Sequence, residues 1–248
     1  MNRVVVLPSS EALARATAER VVAAASDAIA ARGRFVVVLT GGSTPKVLYR
    51  LLASPEFAGR IDWARVHAFW GDERCRPPDD PASNYRMARE TLLDHVPIPP
   101  AQVHRMHGED DPTQAAAAYE HELRATFPDG IARFDLMLLG VGANGHTASL
   151  FPRLSAVRER KRWVVAEYVT EVSMWRITLT PVAINSAAEI LIVVAGADKA
   201  AMLARVLEGP RAIDELPVQA IAPEAGTLTW LVDADSAAAL RTHDHPTG

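Results

Sequence analysis

The polar residues that could take part in chemistry are concentrated just after one apolar run. The run is Leu136 to Leu139, and it predicts a strand that is buried on both faces of a sheet. Glycines at positions 140, 142 and 145 break the run and allow the backbone to turn sharply or to approach a ligand closely. His146, Thr147 and Ser149 come next. Ligands of open α/β sheets bind beyond the carboxyl ends of the strands, so His146 lies where such a fold places its chemistry. The alternative to a functional role is a buried histidine that forms a hydrogen bond with a backbone group.

A second glycine turn follows another apolar run, Phe35 to Thr40. The turn consists of Gly41, Gly42 and Ser43. Thr44 suits the N-cap of a helix and Pro45 suits its first helical position. A strand, a glycine turn and a helix N-terminus bind phosphate well, because free backbone N–H groups and the helix dipole favour an anion. The turn is neither a Walker A loop nor GxGxxG, which argues against a nucleotide. The alternative to a phosphate site is a tight turn that only caps the helix and binds no ligand.

A third group of polar residues follows the apolar run Val66 to Trp70. Asp72 could accept a hydrogen bond from a sugar hydroxyl, and Arg74 could bind a phosphate in a bidentate manner. The alternative for this group, which includes Glu73, is a solvated turn. Lys199 is another cation that follows a predicted strand, and its alternative is an exposed surface lysine.

The remaining pattern predicts alternating strands and helices. A helix is predicted over Glu11–Arg32 and strands over Trp163–Val169, Arg176–Thr180 and Glu189–Ala195. Shorter predictions are a strand at Val103–Met106, a helix at Asn84–His95, an exposed charged loop at Arg153–Arg162, a helix at Pro181–Ala188 and a last helix that ends at Arg241. We therefore expect one α/β domain over residues 1–241, with room for a small lobe, and a disordered tail over residues 242–248.

Composition limits the classes of function. The net charge of −4 gives no general attraction to nucleic acid or to anionic membranes. Cys75 is the only cysteine, so an internal disulfide is impossible and a reducing compartment fits. The first ten residues are too short an apolar segment for a signal peptide, and no run reaches membrane-spanning length. We expect a cytoplasmic protein.

With these residues in view, the sequence resembles the 6-phosphogluconolactonases of the glucosamine-6-phosphate deaminase/6-phosphogluconolactonase superfamily. The likeness runs from about Leu7 to Leu240. The motifs that support it are Thr40-Gly-Gly-Ser-Thr-Pro45, Trp70-Gly-Asp-Glu-Arg74, Ser83-Asn-Tyr85, Leu139-Gly-Val-Gly-Ala-Asn-Gly-His-Thr-Ala-Ser-Leu-Phe-Pro152, Arg176-Ile-Thr-Leu-Thr180, Gly196-Ala-Asp-Lys199 and Trp230-Leu-Val-Asp233. Each motif alone is weak evidence for the resemblance, but the order and spacing of all the motifs together are specific for this family.

The resemblance implies a Rossmann-like, open, mostly parallel sheet with helices on both faces. It also implies hydrolysis of 6-phospho-D-glucono-1,5-lactone to 6-phosphogluconate, in the oxidative pentose phosphate pathway, without a metal or an organic cofactor. The only partner implied is this small sugar-phosphate lactone, and either a monomer or a homodimer remains open. The family's histidine corresponds to His146. The implied phosphate and sugar contacts are Gly41, Gly42, Ser43, Asp72, Arg74, Arg176 and Lys199.

Two features depart from the family pattern. Asn144 stands where the family usually has an aspartate, two residues before the histidine. Trp175 and the basic segment that starts at Arg153 are also unusual, and they bear on the shape of the substrate mouth.

The sequence offers no Gly-x-Ser-x-Gly nucleophile, so we expect water to attack the lactone. A neutral His146 would take the proton from water and return it to the ring oxygen. Asn144 can accept a proton from the imidazole but carries no charge, so Asn144→Asp is expected to raise kcat.

Two rival functions remain. An amino-sugar-phosphate deaminase of the same fold carries a glutamate five residues after the histidine, whereas this chain has Phe151. A non-catalytic sugar-phosphate sensor usually carries a DNA-binding segment, and none is visible here.

Overall fold

The computed structural model describes residues 2–241. The strands are β1 (Asn2–Leu7), β2 (Phe35–Leu39), β3 (Val66–Trp70), β4 (Asp72–Arg74), β5 (Leu136–Leu139), β6 (Val164–Val169), β7 (Met174–Leu179), β8 (Glu189–Val194) and β9 (Thr227–Asp233). The helices are α1 (Ser10–Arg32), α2 (Ser43–Leu52), α3 (Asn84–Thr91), α4 (Pro112–Thr126), α5 (Pro181–Ile184), α6 (Ala200–Glu208) and α7 (Ala234–Ala237). Short 3-10 turns connect several of them. No helix in this part of the chain is long and apolar enough to cross a membrane.

Six strands form one parallel sheet in the order β1-β9-β8-β5-β2-β3. From β2 the chain proceeds outward to β3, whereas from β5 it proceeds in the opposite direction through β8 and β9. The order of strands therefore reverses between β2 and β5. Open α/β sheets bind their ligands at such a reversal, beyond the carboxyl ends of the strands. The glycine turns after β2 and β5 meet at this place.

Helices cover both faces of this sheet, which explains why its central strands are continuous apolar runs. Phe35, Val37 and Leu39 of β2 pack into one core cluster, with residues of α1 and α2. Val36 and Val38 point the other way, into the cluster that contains residues of α4 and α6. Alternate side chains of one strand thus fill two cores. The Rossmann-like architecture expected from the sequence is confirmed.

The three remaining strands form a small antiparallel sheet in the order β4-β7-β6. It is the structural counterpart of the small lobe that the sequence allowed. Ile177 and Leu179 of β7 and Val164 of β6 belong to the same core cluster as Tyr119 of α4. The small sheet therefore packs on one face of the main sheet. The domain boundaries stay a prediction, and the tail over residues 242–248 lies outside the described residues.

Asp72, Glu73 and Arg74 do not form a solvated turn. They form β4, with Asp72 5% and Glu73 2% exposed. The Glu73 carboxylate accepts hydrogen bonds from the backbone N–H groups of Arg74, Asn84 and Tyr85 and from the hydroxyl of Ser83. Burial raises the pKa of Glu73, and the four hydrogen bonds oppose that rise. Glu73 thus joins β4 to the N-terminus of α3.

Several other local predictions were wrong. Val103–Met106 is not a strand, because only Val103 forms an isolated bridge, with Ala68. Arg153–Arg162 is not a wholly exposed loop, since its centre is a 3-10 turn in which Ala156 and Val157 are buried. Helices were also predicted too long: α3 ends at Thr91, α5 at Ile184 and α7 at Ala237.

Candidate active site

The turns after β2 and β5 enclose one side of a cavity of about 320 Å³. Its remaining walls come from β4, β7, the β6–β7 turn and the segment that follows β8. The residues proposed from the sequence that line it are Gly41, Gly42, Ser43, Asp72, Arg74, His146, Arg176 and Lys199. Asn144 does not line the cavity, but it contacts His146. A larger groove of about 610 Å³ lies elsewhere on the described surface, and neither a histidine nor any of these residues lines it.

His146 is held by a hydrogen-bonded chain of three side chains. Its Nδ1 lies 2.6 Å from Oδ1 of Asn144. The amide nitrogen of Asn144 donates to both carboxylate oxygens of Glu171, at 3.0 and 2.9 Å. A carboxylate accepts and an amide oxygen cannot donate, so Nδ1 of His146 must carry the proton in this chain. The lone pair on Nε2 is therefore free to accept another proton.

The imidazole ring is also confined by Phe151 and Gly142. The ring of Phe151 stacks on it, with centroids 4.1 Å apart and planes 13° from parallel. A Cβ atom at Gly142 would lie 2.1 Å from the ring, so only glycine lets the ring occupy this place. The second glycine of the turn after β5 is thus required for the position of the histidine.

Burial lowers the pKa of His146 below its ordinary value. The charges of Asp72 and Glu171 oppose this shift, and those of Arg176 and Lys199 reinforce it. The outcome is an imidazole that is neutral at neutral pH, which is the form that can act as a base.

Asp72 is fixed by two side chains beside the cavity. Its Oδ2 accepts a hydrogen bond from the hydroxyl of Ser149 at 2.7 Å, and its Oδ1 accepts one from the amide of Asn84 at 3.2 Å. Asn84 in turn explains Gly41, because a Cβ atom there would lie 1.9 Å from Oδ1 of Asn84. Asp72 is therefore a rigid carboxylate that can accept hydrogen bonds from a ligand.

Three cationic side chains line the same cavity. Arg74 and Arg176 are directly opposite on β4 and β7. Arg176 is only 8% exposed, and its Nε has no hydrogen-bond partner among the described residues. Lys199 follows β8 and makes an ion pair with Asp198 at 3.2 Å. Three cations around one cavity favour an anionic ligand.

The N-terminus of α2 adds to this positive potential. Ser9, Ser83 and Asp111 cap α1, α3 and α4 with their side chains. In contrast, α2 begins at Ser43, so the predicted N-cap at Thr44 was wrong. The residue before the helix is Gly42, which offers no side chain, and the first turn contains no acid. Its first N–H groups remain available for an anion in the cavity.

Comparisons with known proteins agree with this arrangement. The family model "Glucosamine-6-phosphate isomerases/6-phosphogluconolactonase" matches residues 8–230. The chain belongs to this family. A 6-phosphogluconolactonase from Mycobacterium tuberculosis is 41% identical over 243 residues, which cover 95% of this chain and 97% of that protein. One from Nostoc sp. is 40% identical over 240 residues, with coverage of 95% and 97%.

The comparison with a solved structure supports the same family assignment. The 6-phosphogluconolactonase from Trypanosoma cruzi superposes with a TM-score of 0.86 at 27% identity, and the match covers 98% of each chain. The family resemblance drawn from the sequence motifs is confirmed.

The sequence did not predict the roles of two residues of the site. Asn84 belongs to the motif Ser83-Asn-Tyr85, but nothing in the sequence indicated that its side-chain amide would donate a hydrogen bond to Asp72. Glu171 had no signal at all, because it lies 27 residues after Asn144, in a turn between two strands. Only the folded hairpin brings it to the histidine.

Proposed function

We propose that the protein hydrolyses 6-phospho-D-glucono-1,5-lactone to 6-phospho-D-gluconate, with His146 as the base that activates water. The observation that supports this most directly is the state of the imidazole. Nδ1 is hydrogen-bonded to Asn144, so Nε2 is free as the proton acceptor. The same cavity holds the cations that a phosphorylated substrate needs.

The reaction divides into two proton transfers. As the water oxygen bonds to the lactone carbonyl carbon, Nε2 of His146 takes one of its protons. The carbonyl oxygen becomes an oxyanion, which the backbone N–H groups of the glycine turns or a nearby cation would stabilise. When the intermediate collapses, the bond to the ring oxygen breaks and that oxygen takes the proton back from the imidazolium. The products are the opened hydroxy acid and a neutral His146.

The charged groups suggest how the substrate is oriented. The N-terminus of α2, with Ser43, together with Arg74 and Arg176 would hold the 6-phosphate. Asp72 would accept a hydrogen bond from a ring hydroxyl. Lys199 lies on the opposite side of the sheet reversal from Arg74 and would contribute to the field on the anion.

Phe151 argues against an amino-sugar-phosphate deaminase. That reaction was expected to require a glutamate at this position, five residues after the histidine. Here the aromatic ring stacks on His146 instead and cannot transfer a proton.

The direct test is the decay of freshly generated lactone at neutral pH, with and without the protein. The proposal predicts acceleration over the spontaneous rate, and faster turnover of the 6-phosphorylated lactone than of glucono-1,5-lactone. If the protein binds the sugar phosphate but leaves lactone decay unchanged, the sensor function replaces the enzyme.

A further inference from the structure

The turn between β6 and β7 brings an acidic residue to the histidine that no sequence motif indicated. Glu171 lies in the 3-10 turn Thr170–Val172. Both oxygens of its carboxylate accept from the Asn144 amide, and among the described residues it forms no ion pair. The neighbouring Val172 lines the cavity together with Glu171. The tip of this hairpin is therefore one wall of the site, and β7 continues from it to Arg176.

Glu171 determines which end of the Asn144 amide faces the histidine. An amide can present either its oxygen or its NH₂ group to Nδ1, and the two choices select opposite tautomers of the ring. A carboxylate can only accept, so Glu171 attracts the NH₂ group and leaves the oxygen for His146. The backbone N–H of His146 supports the same orientation, because it donates to Oδ1 of Asn144 at 3.1 Å. If the amide turned over, Nε2 would carry the proton and could not accept one from water.

Glu171 also restores the negative charge that Asn144 lacks. When His146 takes a proton, the positive imidazolium is bonded to a neutral amide oxygen. The Glu171 carboxylate polarises that amide from its other end, and hydrogen bonds in such a chain strengthen one another. Because Glu171 is exposed, solvent screens its charge, so its effect must be smaller than that of a buried carboxylate in direct contact.

We propose that Glu171 is a positioning residue that acts through Asn144. In this protein the Asn144–Glu171 pair does the work of the single carboxylate that the family usually places beside its histidine. The proposal rests on the proposed lactonase function for its kinetic consequences, but the state of the histidine can be measured without any substrate.

The kinetic test compares Glu171→Gln and Glu171→Ala in the wild type and in the Asn144→Asp background. Glutamine keeps an acceptor for the amide and removes only the charge, so kcat should fall about two- to fivefold with little change in KM. Alanine also frees the amide to turn, and the loss should reach about tenfold. Glu56→Gln, which removes an exposed carboxylate that does not line the cavity, is the matched control and should leave kcat unchanged.

In the Asn144→Asp background, the loss of kcat caused by Glu171→Gln should disappear or reverse. There the new aspartate faces His146 directly, and Glu171 becomes a second carboxylate about 3 Å away, which disfavours ionisation of one of the two. Glu171→Gln should then leave kcat unchanged or raise it. An equal loss in both backgrounds would mean that Glu171 acts independently of Asn144 and would overturn the proposal.

Nuclear magnetic resonance of the imidazole nitrogens of His146 in the free protein supplies the readout that does not need turnover. The wild type should show the Nδ1–H tautomer, and Glu171→Ala should increase the fraction of the Nε2–H tautomer. The groups that face the ring are Asp72, Glu171, Arg176 and Lys199, so removal of Glu171 should also lower the pKa of His146. If neither tautomer nor pKa changes, the proposal is wrong, whether or not the protein hydrolyses lactone. If both change while the wild type shows no lactonase activity, the proposed function fails and the positioning role stands.

Discussion

Arg74 and Arg176 lie directly opposite each other on adjacent antiparallel strands, and both line the cavity that contains His146. Like charges at opposed positions of two strands destabilise a sheet. Arg176 is buried, and its Nε has no partner among the described residues. Asp72 and Glu73 offset part of this repulsion at Arg176. The two arginines still leave positive charge at the cavity, and under the proposed function the 6-phosphate of the substrate is the anion that they bind.

Arg176→Met should therefore weaken phosphate recognition. We expect the KM for the phosphorylated lactone to rise about 10- to 100-fold, which corresponds to the loss of one charge-assisted hydrogen bond of about 1.5–3 kcal/mol. Turnover of glucono-1,5-lactone, which lacks the phosphate, should change much less. Arg205→Met, at an exposed arginine that does not line the cavity, is the control. An equal loss on both lactones would show that Arg176 does not bind the phosphate.

Gly142→Ala should displace the histidine. The new methyl group would lie 2.1 Å from the ring of His146, on which Phe151 already stacks. A catalytic group misplaced by about 1 Å costs on the order of 10²-fold in rate, and we expect a fall in kcat of that size. Gly59→Ala is the control, because nothing lies within 4 Å of its Cβ position and Gly59 does not line the cavity. Circular dichroism should show that both variants are folded. Equal activities would contradict the geometry derived for the ring.

The pH dependence of kcat/KM follows from the direction of the His146 pKa in the free protein. The base must be neutral, so kcat/KM falls as the pH drops through the pKa of His146. Burial lowers this pKa, which places the acid limb below the ordinary value of 6.5. Asn144→Asp should move the limb to higher pH, since a carboxylate stabilises the imidazolium. The profile is measured at substrate concentrations well below KM and corrected for spontaneous hydrolysis. An acid limb with its midpoint above pH 6.5 in the wild type would contradict a lowered pKa of the catalytic His146.

Glu73→Gln should affect stability more than catalysis. The carboxylate accepts four hydrogen bonds from β4 and the start of α3, and an amide cannot accept all of them. We expect the free energy of unfolding in urea to fall by about 1.5–3 kcal/mol. Glu90→Gln, at an exposed residue of α3, should change it by less than about 1 kcal/mol. A similar small effect at both positions would mean that Glu73 does not fasten α3 to β4.

The sequence predicted best what depends on local pattern. The apolar runs that became β2 and β5 are buried on both faces, and their glycine turns meet at the reversal of the sheet. Local pattern could not predict β4, because three consecutive charged residues resemble a solvated turn until α3 supplies hydrogen bonds to Glu73. The link from Asn144 to Glu171 was equally hidden, since it depends on how the β6–β7 hairpin packs on the main sheet.

The role of His146 as the base is tested by the decay of fresh 6-phosphogluconolactone at neutral pH with the wild type, His146→Ala and His107→Ala. His107 is an exposed histidine that does not line the cavity, so its variant controls for the loss of an imidazole. The wild type and His107→Ala should accelerate the decay, whereas His146→Ala should leave it close to the spontaneous rate. Full acceleration by a folded His146→Ala would contradict the assignment of His146 as the base.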